Sequence, residues 1–307
     1  MSFVLGIDIG GTKTSAGIFD SNINAVGETT FPTMPQDGAE NLLDRIYEGS
    51  GEILKSAGMS WDDVSAVGIA SPGPLDIPNG KVVSAPTMGW YDVPITALAE
   101  RRFGKKVLLE NDTNAAAIWE YQSRGGTFNP LAYITVSTGI GCGIVIDGKV
   151  LSGRYSAAGE IGHVNVAKDG RPCGCGNRGC LELYASGTSI GALYSEAVQN
   201  TVSAMEVFKL ARAGDEKAVE IVKHAGGHLG YAVSLLCQII DPSVIVFGGS
   251  VTKDFDMLYP VINETANRLT EPYPGREIRI EKSEFDGKQV ILGAAGLAAE
   301  ASRAWNY

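Results

Sequence analysis

One short stretch decides the fold: RPCGCGNRGCLE, residues 171–182, which follows EIGH at residues 160–163. It places three of the chain's five cysteines within eight residues of one another. Thiolates and imidazoles are ligands that tetrahedral zinc prefers, and glycines between the cysteines let the backbone turn each sulfur toward one point. The pattern therefore predicts a closed zinc knuckle. Its four predicted ligands are His163, Cys173, Cys175 and Cys180.

Disulfide bonds and free thiols are the alternative readings of these cysteines. Cys173 and Cys175 lie too close in sequence to bridge easily, and nothing else in the chain is typical of a secreted protein. Because the protein supplies all four ligands, a bound metal would have no open position for a substrate or an activated water. The knuckle is therefore predicted to hold a loop in place, and the chemistry is expected elsewhere.

Length and charge narrow the class of protein. A chain of 307 residues exceeds what one hydrophobic core usually organises, so two domains are expected. The net charge is −10 and no basic cluster is present, which argues against a nucleic-acid partner. The sequence shows no secretion signal and no apolar stretch long enough to cross a bilayer. We expect a cytoplasmic protein that does not bind membranes.

Strand and helix signals alternate along the chain. Strands are predicted at residues 3–9, 14–19, 64–70, 106–110, 131–137, 142–146, 149–151, 244–247 and 278–281, and helices at 39–57, 115–121, 204–213, 216–240 and 293–301. A strand, a glycine–threonine turn and a second strand occur at residues 8–14 and again at 137–143, a weak internal duplication. We infer two α/β halves with a cleft between them, and expect the small-residue helix at 293–301 to pack on the first half.

The two glycine–threonine turns are predicted phosphate sites. Glycines expose backbone N–H groups that Cβ atoms would crowd, and concave arrays of such donors favour phosphate oxygens. Asp8 lies just before the first turn, where an acid is best explained by Mg²⁺ between it and a phosphate. An ordinary hairpin is the alternative reading, and neither turn matches the Walker A or the dinucleotide-binding spacing.

Taken together, these motifs make the sequence resemble the ROK family of bacterial sugar kinases and repressors, within the actin-like ATPase folds that include hexokinase. The resemblance covers the whole chain, and its motifs are DIGGTK (8–13), SPGP (71–74), ENDTNAAA (110–117), TGIG (138–141), AAGEIGH (157–163), CGCGNRGCLE (173–182) and GGS (248–250). It implies a two-domain α/β fold of the ribonuclease H-like type with an interdomain cleft. The expected domains are residues 1–113 with about 290–307, and residues 114–289.

The resemblance also implies roles for particular residues. Asp112 matches the general base that takes the proton of the sugar hydroxyl. The residues that match hexose contacts are Asn111, Glu160, His163, Glu182 and Gly73. Four of these residues have a plainer alternative: Asp112 or Asn111 would suit a helix N-cap, His163 a purely structural metal ligand, and Glu182 a solvated acid at a helix start. His163 would use one ring nitrogen for zinc and the other for the sugar.

For the nucleotide, the resemblance implies ATP with Mg²⁺ in addition to structural Zn²⁺. The matching positions are Asp8 for the metal, Gly10, Gly11, Thr12, Lys13, Thr138 and Gly139 for the phosphates, and Gly248 and Gly249 for adenosine. Two positions depart from the family pattern. Cys142 stands where many members have glycine and is expected to face the core. Thr87 stands where sugar kinases often have asparagine, which leaves the sugar preference open.

The expected activity is therefore an ATP-dependent hexose kinase acting on the 6-hydroxyl of glucose. N-acetylmannosamine or N-acetylglucosamine is the alternative substrate, and polyphosphate is the alternative donor. A repressor of the same family is disfavoured, since the first phosphate turn begins at residue 8 and leaves no room for a preceding helix-turn-helix. A non-catalytic sugar sensor is the remaining alternative. Small residues at 225–236 and 293–301 suggest the face of a homodimer or higher oligomer.

Overall fold

A computed structural model describes residues 2–304, with side chains up to Ser302. The chain forms two compact units. The first contains the residues up to Trp119, the short excursion Ser152–Ala158 and the residues from Lys288 on; the second contains Glu120–Leu151 and Gly159–Gly287. The chain thus leaves the first unit shortly after the expected boundary at residues 113 and 114, because that boundary falls inside a helix.

The elements up to this helix follow in chain order. They are β1 (Phe3–Ile9), β2 (Lys13–Phe19), β3 (Ala25–Pro32), α1 (Gly38–Ser56), β4 (Val64–Ser71), β5 (Leu75–Asp76), β6 (Lys81–Ala85), β7 (Trp90–Val93), α2 (Ile95–Phe103), β8 (Lys106–Asn111) and α3 (Asp112–Ser123). The remaining elements are β9 (Leu131–Val136), β10 (Ile140–Ile146), β11 (Lys149–Val150), α4 (Glu182–Ala185), α5 (Gly187–Val198), α6 (Ala204–Arg212), α7 (Glu216–Ile239), β12 (Val244–Gly248), α8 (Phe255–Leu269), β13 (Ile280–Lys282) and α9 (Gln289–Ala304).

The sheet of the first unit has the strand order β3-β2-β1-β4-β8. The strands β1, β2 and β3 are antiparallel neighbours, whereas β1, β4 and β8 run parallel. Alternate side chains of β1, such as Leu5 and Ile7, are fully buried in a core shared with α1 and α2, while Val4 faces the core formed with α9. A sheet buried on both faces accounts for the nearly continuous apolar sequence of β1 and β4.

The sheet of the second unit repeats this plan. Its order is β11-β10-β9-β12-β13, with β9, β10 and β11 antiparallel and β9, β12 and β13 parallel. Each sheet therefore begins with a hairpin whose turn is glycine-rich and continues with two parallel strands. The topology confirms the duplication that the two glycine–threonine turns predicted. The helices α5, α6, α7 and α8 pack around the second core.

Helix α9 packs on the backbone of the first sheet, as its small residues predict. A Cβ on Gly68 of β4 would overlap the carbonyl oxygen of Ala294, and a Cβ on Gly6 of β1 would lie 2.6 Å from the carbonyl oxygen of Ile291. On its other side, a Cβ on Gly293 would overlap the carbonyl oxygen of Ala115 in α3. The glycines thus bring a helix within backbone contact of both a sheet and another helix.

The small residues that suggested an oligomer face pack largely within the units, so they do not themselves support such a face. In α9, Ala294, Ala295 and Ala298 are fully buried. In α7, a Cβ on Gly226 would lie 2.9 Å from the side chain of Val261, and one on Gly230 would lie 2.7 Å from the carbonyl oxygen of Ile262. Small residues here allow close helix packing inside the protein.

Among the described residues, none of the helices combines the length and apolar character that a membrane crossing requires.

The contact between Gly68 and α9 predicts a large loss of stability in Gly68→Ala. The added methyl group has no space beside the carbonyl oxygen of Ala294, so the free energy of unfolding should fall by about 3 kcal/mol or more. Gly227→Ala is the matched control, since a Cβ at this helical position meets nothing within 4 Å. It should raise the free energy of unfolding by up to about 1 kcal/mol through helix propensity. Urea denaturation of both variants would contradict this packing if Gly68→Ala lost no stability.

Candidate active site and metal centre

The predicted knuckle ligands meet at one point. His163 ends a short 3-10 helix, Ile161–His163, and its Nδ1 lies 3.7 Å from Sγ of Cys173. Sγ of Cys175 lies 3.7 Å from Sγ of Cys180, and all four ligand atoms are within 4.8 Å of one another. Zinc bonds of about 2.3 Å to sulfur and about 2.0 Å to nitrogen give tetrahedral edges of roughly 3.5 to 3.8 Å. The cluster therefore fits a tetrahedral cation, and the sulfur separations are too long for disulfides.

Backbone contacts shape the knuckle. The N–H of Cys173 donates to the carbonyl of Asn177 at 2.8 Å, which closes the turn between the first two cysteines and the third. Gly179 has φ of +72°, and a Cβ there would overlap the carbonyl oxygen of Ala167. Burial raises the pKa of the Cys180 thiol to about 12, so without a metal this cysteine keeps its proton at neutral pH. A bound cation would displace that proton and bind the thiolate.

The first glycine turn is held tightly at its base. Gly10 N–H donates to the carbonyl of Lys13 at 3.0 Å, and Thr33 N–H donates to the carbonyl of Thr12 at 2.9 Å. Thr33 Oγ1 donates to the carbonyl of Gly10 at 2.5 Å. Thr87 lies beside this turn, since its Oγ1 is 3.5 Å from the position of a Cβ on Gly11. The departure from the family pattern at Thr87 therefore adjoins a predicted phosphate turn.

Asp8 and Asp112 approach the same edge of the first sheet. In the strand register, Asp8 pairs with Ala70, which pairs with Glu110, at the carboxyl ends of the parallel strands β1, β4 and β8. Burial, together with the smaller effect of the negative charge of Asp112, raises the pKa of Asp8 to about 7, although Lys13 acts in the opposite direction. Two like charges in a desolvated position favour a cation or a proton. The carboxylate of Asp8 thus suits Mg²⁺ beside the first turn.

Asn111 caps helix α3. Its Oδ1 accepts from the N–H groups of Thr113 at 3.0 Å and Asn114 at 3.2 Å. Oδ1 of Asp112 accepts from the N–H of Thr113 at 2.7 Å, and the side chain is half-buried. The N-cap role that was an alternative for either residue therefore belongs chiefly to Asn111. A Cβ on Gly73 would lie 3.7 Å from Nδ2 of Asn111, so Gly73 belongs to this cluster.

Glu110, directly before this pair, is a structural carboxylate. Its Oε1 accepts from the N–H of Asn111 at 2.9 Å and from Nδ2 of Asn114 at 3.0 Å. Burial raises its pKa, whereas these two hydrogen bonds act in the opposite direction. The side chain fixes the junction between β8 and α3, and thereby the place of Asn111 and Asp112.

The second glycine turn is joined to Glu182. Oε2 of Glu182 accepts from the N–H of Ile140 at 2.9 Å, and a Cβ on Gly139 would overlap the same oxygen. The alternative of a solvated acid at a helix start is therefore wrong for Glu182. Ser137 also anchors the turn, because its carbonyl accepts from the N–H of Gly187 at 2.7 Å.

The loop that carries Glu160 and His163 lies on β10. Glu160 is the N-cap of the short 3-10 helix, and its carbonyl accepts from the N–H of His163 at 3.1 Å. A Cβ on Gly159 would overlap the carbonyl oxygen of Cys142. Cys142 itself is buried in the second core, and burial raises the pKa of its thiol to about 12. It faces the core, as expected.

A cavity of about 670 Å³ lies beside the second turn in the second unit. Its lining includes Ser137 and Thr138 of the turn, Thr188 of α5, and Ser250 and Lys253 of the 3-10 helix Ser250–Asp254. Sequence reasoning missed Thr188 and Lys253, which no motif marks. The size suits a nucleoside, and Gly248 and Gly249 directly precede Ser250.

The two glycines before Ser250 are required by packing. A Cβ on Gly248 would overlap the hydroxyl of Tyr133, and one on Gly249, which has φ of +91°, would overlap the carbonyl oxygen of Val136. They let β12 end close to β9 and turn into the 3-10 helix. Their predicted contact with adenosine is a separate hypothesis, which the lining by Ser250 supports.

Comparison with known proteins gives a consistent picture. The family model described as "ROK family" matches residues 4–301. A glucokinase of Halalkalibacterium halodurans is 32% identical over 90% of this chain and 89% of its own, and an N-acetyl-D-glucosamine kinase of Yersinia pseudotuberculosis is 30% identical over 95% and 97%. A ROK family glucokinase from Streptomyces griseus, solved in complex with glucose and AMPPNP, superposes with a TM-score of 0.82, at 31% identity over 97% of this chain and 100% of that one.

The geometry of the knuckle predicts one zinc ion per chain. Elemental analysis of protein purified from zinc-containing medium should find this ion in the wild type and lose most of it in Cys175→Ser, because one of four ligands is removed. Cys237→Ala is the matched control, since Cys237 is a buried cysteine outside the cluster. Equal zinc content in wild type and Cys175→Ser would contradict the assignment.

The raised pKa of Asp8 predicts a pH-dependent stability without Mg²⁺. Native Asp8 holds its proton up to about pH 7, whereas the ordinary value is 3.8, so the native state binds the extra proton between these values. Stability therefore falls as pH rises from about 4 to 7, and the loss is complete above pH 7. From pH 5 to pH 8, the unfolding free energy of wild type should fall relative to Asp8→Asn by on the order of 2 kcal/mol. Urea denaturation of both proteins at both pH values measures this change. An equal difference in unfolding free energy between wild type and Asp8→Asn at pH 5 and pH 8 would refute the raised pKa of Asp8.

Proposed function

This chain belongs to the ROK family and is a sugar kinase, and we propose that it transfers the γ-phosphate of ATP to the 6-hydroxyl of glucose with Asp112 as the general base. One observation carries the choice of base. The negative charge of Asp112 contributes to the raised pKa of Asp8, so its carboxylate lies near the proposed Mg²⁺ ligand at the carboxyl edge of the sheet. Ligands of α/β proteins commonly bind at this edge.

The proposed reaction is a direct transfer. The carboxylate of Asp112 accepts the proton of the sugar hydroxyl while the hydroxyl oxygen bonds to the γ-phosphorus. The bond between the γ-phosphorus and the bridging oxygen of ATP breaks, and ADP leaves. Asp8 is the proposed ligand of Mg²⁺, which would neutralise charge on the phosphates when bound. Lys13 adds a positive charge at the end of the first turn.

The proposed nucleotide contacts follow the two glycine turns. The first turn, Gly10 to Lys13, and Thr138 and Gly139 of the second are proposed to contact phosphates through backbone N–H groups and hydroxyls. The cavity lined by Thr138, Ser250 and Lys253 is the proposed place of the nucleoside, beside Gly248 and Gly249. Its volume and its position next to the second turn support this assignment.

The proposed sugar contacts of the second unit lie around the knuckle. His163 directs Nδ1 toward the cluster, so Nε2 is the nitrogen proposed to contact a sugar hydroxyl. Oε2 of Glu182 accepts from Ile140, which leaves Oε1 as the oxygen proposed to accept from the sugar. Glu160 is the third proposed contact. In the first unit, Asn111 and Gly73 are proposed to position the sugar beside Asp112.

A second substrate class has support of its own. The Yersinia pseudotuberculosis relative named for N-acetyl-D-glucosamine is 30% identical to this chain, close to the 32% of the glucokinase. N-acetylglucosamine or N-acetylmannosamine is therefore the alternative acceptor. A non-catalytic sugar sensor of the same fold belongs to a different class and is distinguished by turnover.

Asp112→Asn is expected to lower kcat by about 10² to 10⁴-fold, because the amide cannot accept the hydroxyl proton. A coupled ADP-release assay with Mg²⁺ and ATP measures it, on a panel of glucose, N-acetylglucosamine, N-acetylmannosamine, mannose and fructose. Asp62→Asn, at an exposed position of the first unit, is the matched control and should leave kcat unchanged.

The acceptor with the highest kcat/KM identifies the substrate. Turnover on glucose alone supports the proposal, and preference for an N-acetylated sugar supports the alternative acceptor. A kcat of Asp112→Asn within threefold of wild type would rule out its role as base. Absence of turnover on every sugar, with a folded protein that contains zinc, would favour the sensor.

A further inference from the structure

We infer that Glu182 is a positioning residue for the nucleotide: by holding the N–H of Ile140, it sets the conformation of the second glycine turn. This inference rests on the proposed nucleotide site and adds a role to the sugar contact proposed for the same side chain. The hydrogen bond joins residues 42 positions apart, so it is a tertiary link between the knuckle and the turn.

The peptide groups around Ile140 are held from two sides. Its N–H donates to Oε2 of Glu182 at 2.9 Å. Its carbonyl oxygen lies against the backbone of Gly162, where a Cβ would overlap it. Glu182 and Gly162 each adjoin a knuckle ligand: Glu182 follows Cys180 by two residues, and Gly162 precedes His163. The start of β10 is thus fixed by both ends of the metal-binding segment.

Gly139 makes room for this carboxylate. Oε2 of Glu182 occupies the space that a Cβ at residue 139 would need. Glycine in the turn therefore serves two purposes: it exposes backbone donors, and it admits the side chain that fixes their direction. A turn with glycines on both sides of Ile140 is otherwise free to adopt many conformations, and ordering it on binding would cost affinity.

The backbone that carries this carboxylate is firmly placed. The carbonyl oxygen of Glu182 accepts from Oγ of Ser189 at 2.7 Å and from the N–H of Ser186 at 3.2 Å. Leu181 is fully buried, and its N–H donates to the carbonyl of Val164 at 2.9 Å. Glu182 therefore transmits the position of the knuckle, and of the junction between α4 and α5, to the turn.

The second glycine turn also shapes the cavity beside it. Ser137 and Thr138 form part of the lining, and Thr188 of α5 faces the same space. A displaced turn would change the spacing between these residues. A negative charge beside a phosphate site is unfavourable in itself, so removing the charge of Glu182 should strengthen nucleotide binding. Removing its hydrogen bond to the turn should weaken nucleotide binding.

Two conservative variants separate these effects. Glu182→Gln removes the charge but keeps an oxygen at the same distance from the backbone. Glu182→Asp keeps the charge but is shorter by one methylene, so its oxygen cannot reach the N–H of Ile140 without moving the backbone. Isothermal titration with Mg²⁺ and AMPPNP, without sugar, measures nucleotide affinity directly on the full zinc-containing chain.

Glu182→Asp should weaken AMPPNP binding by about tenfold, the effect of losing one hydrogen bond that orders the turn, and Glu182→Gln should bind within about twofold of wild type. Glu206→Asp, at an exposed position of α6, is the matched control and should bind like wild type. Equal affinity of wild type and Glu182→Asp would overturn the inference. Equal changes of AMPPNP affinity in Glu182→Gln and Glu182→Asp would also overturn the inference, because the length of the side chain would then have no effect.

Failure of the proposed function gives a different result. Wild type would then not bind AMPPNP, or would bind it without turning over any sugar. A sugar contact alone would change the KM for sugar in both variants and leave AMPPNP affinity untouched. The comparison of nucleotide affinity with sugar KM therefore distinguishes a positioning role from a sugar contact.

Discussion

Close approach of one backbone to another is the constraint on which this structure depends. The chain contains 39 glycines, and several stand where a Cβ would overlap a carbonyl oxygen of another segment. Gly68 brings β4 against α9, Gly162 brings the histidine loop against β10, and Gly179 closes the knuckle. Interiors are packed so densely that one methyl group cannot be absorbed at such points. The same property that lets a glycine turn face a phosphate also lets the supporting elements come close enough to fix that turn.

Electrostatics completes the site in the first unit. Asp8 and Asp112 share one edge of the sheet, and their mutual repulsion adds to the cost of burying Asp8. Nearby positive charge would offset that cost, but the charge of Lys13 offsets it only in part. A buried carboxylate in this state suits a divalent cation, whose positive charge would offset the repulsion, in agreement with the proposed role of Asp8. Asn111 accepts from two N–H groups at the start of α3, and Asp112 accepts from one of the same groups.

Much of this could be predicted from sequence, because the decisive signals are local. Buried parallel strands such as β1 and β4 are continuous apolar runs, and the knuckle is a compact ligand pattern. The missed elements lack such signals. Strand β3 (Ala25–Pro32) is a half-exposed edge strand with few apolar residues, and α8 contains Pro260 in its interior. The small residues of the long apolar helices suggested an oligomer face but pack largely within the chain, since composition cannot distinguish a surface that contacts another chain from one that contacts the same chain.

The position of Glu182 shows where sequence reasoning ends. Its neighbour Cys180 marks it as part of the knuckle, but nothing local reveals that its carboxylate reaches a turn 42 residues away. That contact depends on the topology of the second sheet, which places the start of β10 under the segment between His163 and Glu182. A metal held by these four protein ligands would have no open coordination position and would take no direct part in the chemistry. Through Glu182 and Gly162, however, the two ends of the knuckle segment contact the peptide groups on either side of Ile140 in the proposed phosphate turn, while His163 and Glu182 are proposed to hold the sugar. Glu182 is therefore the side chain at which the proposed sugar contact and the inferred support of the turn meet.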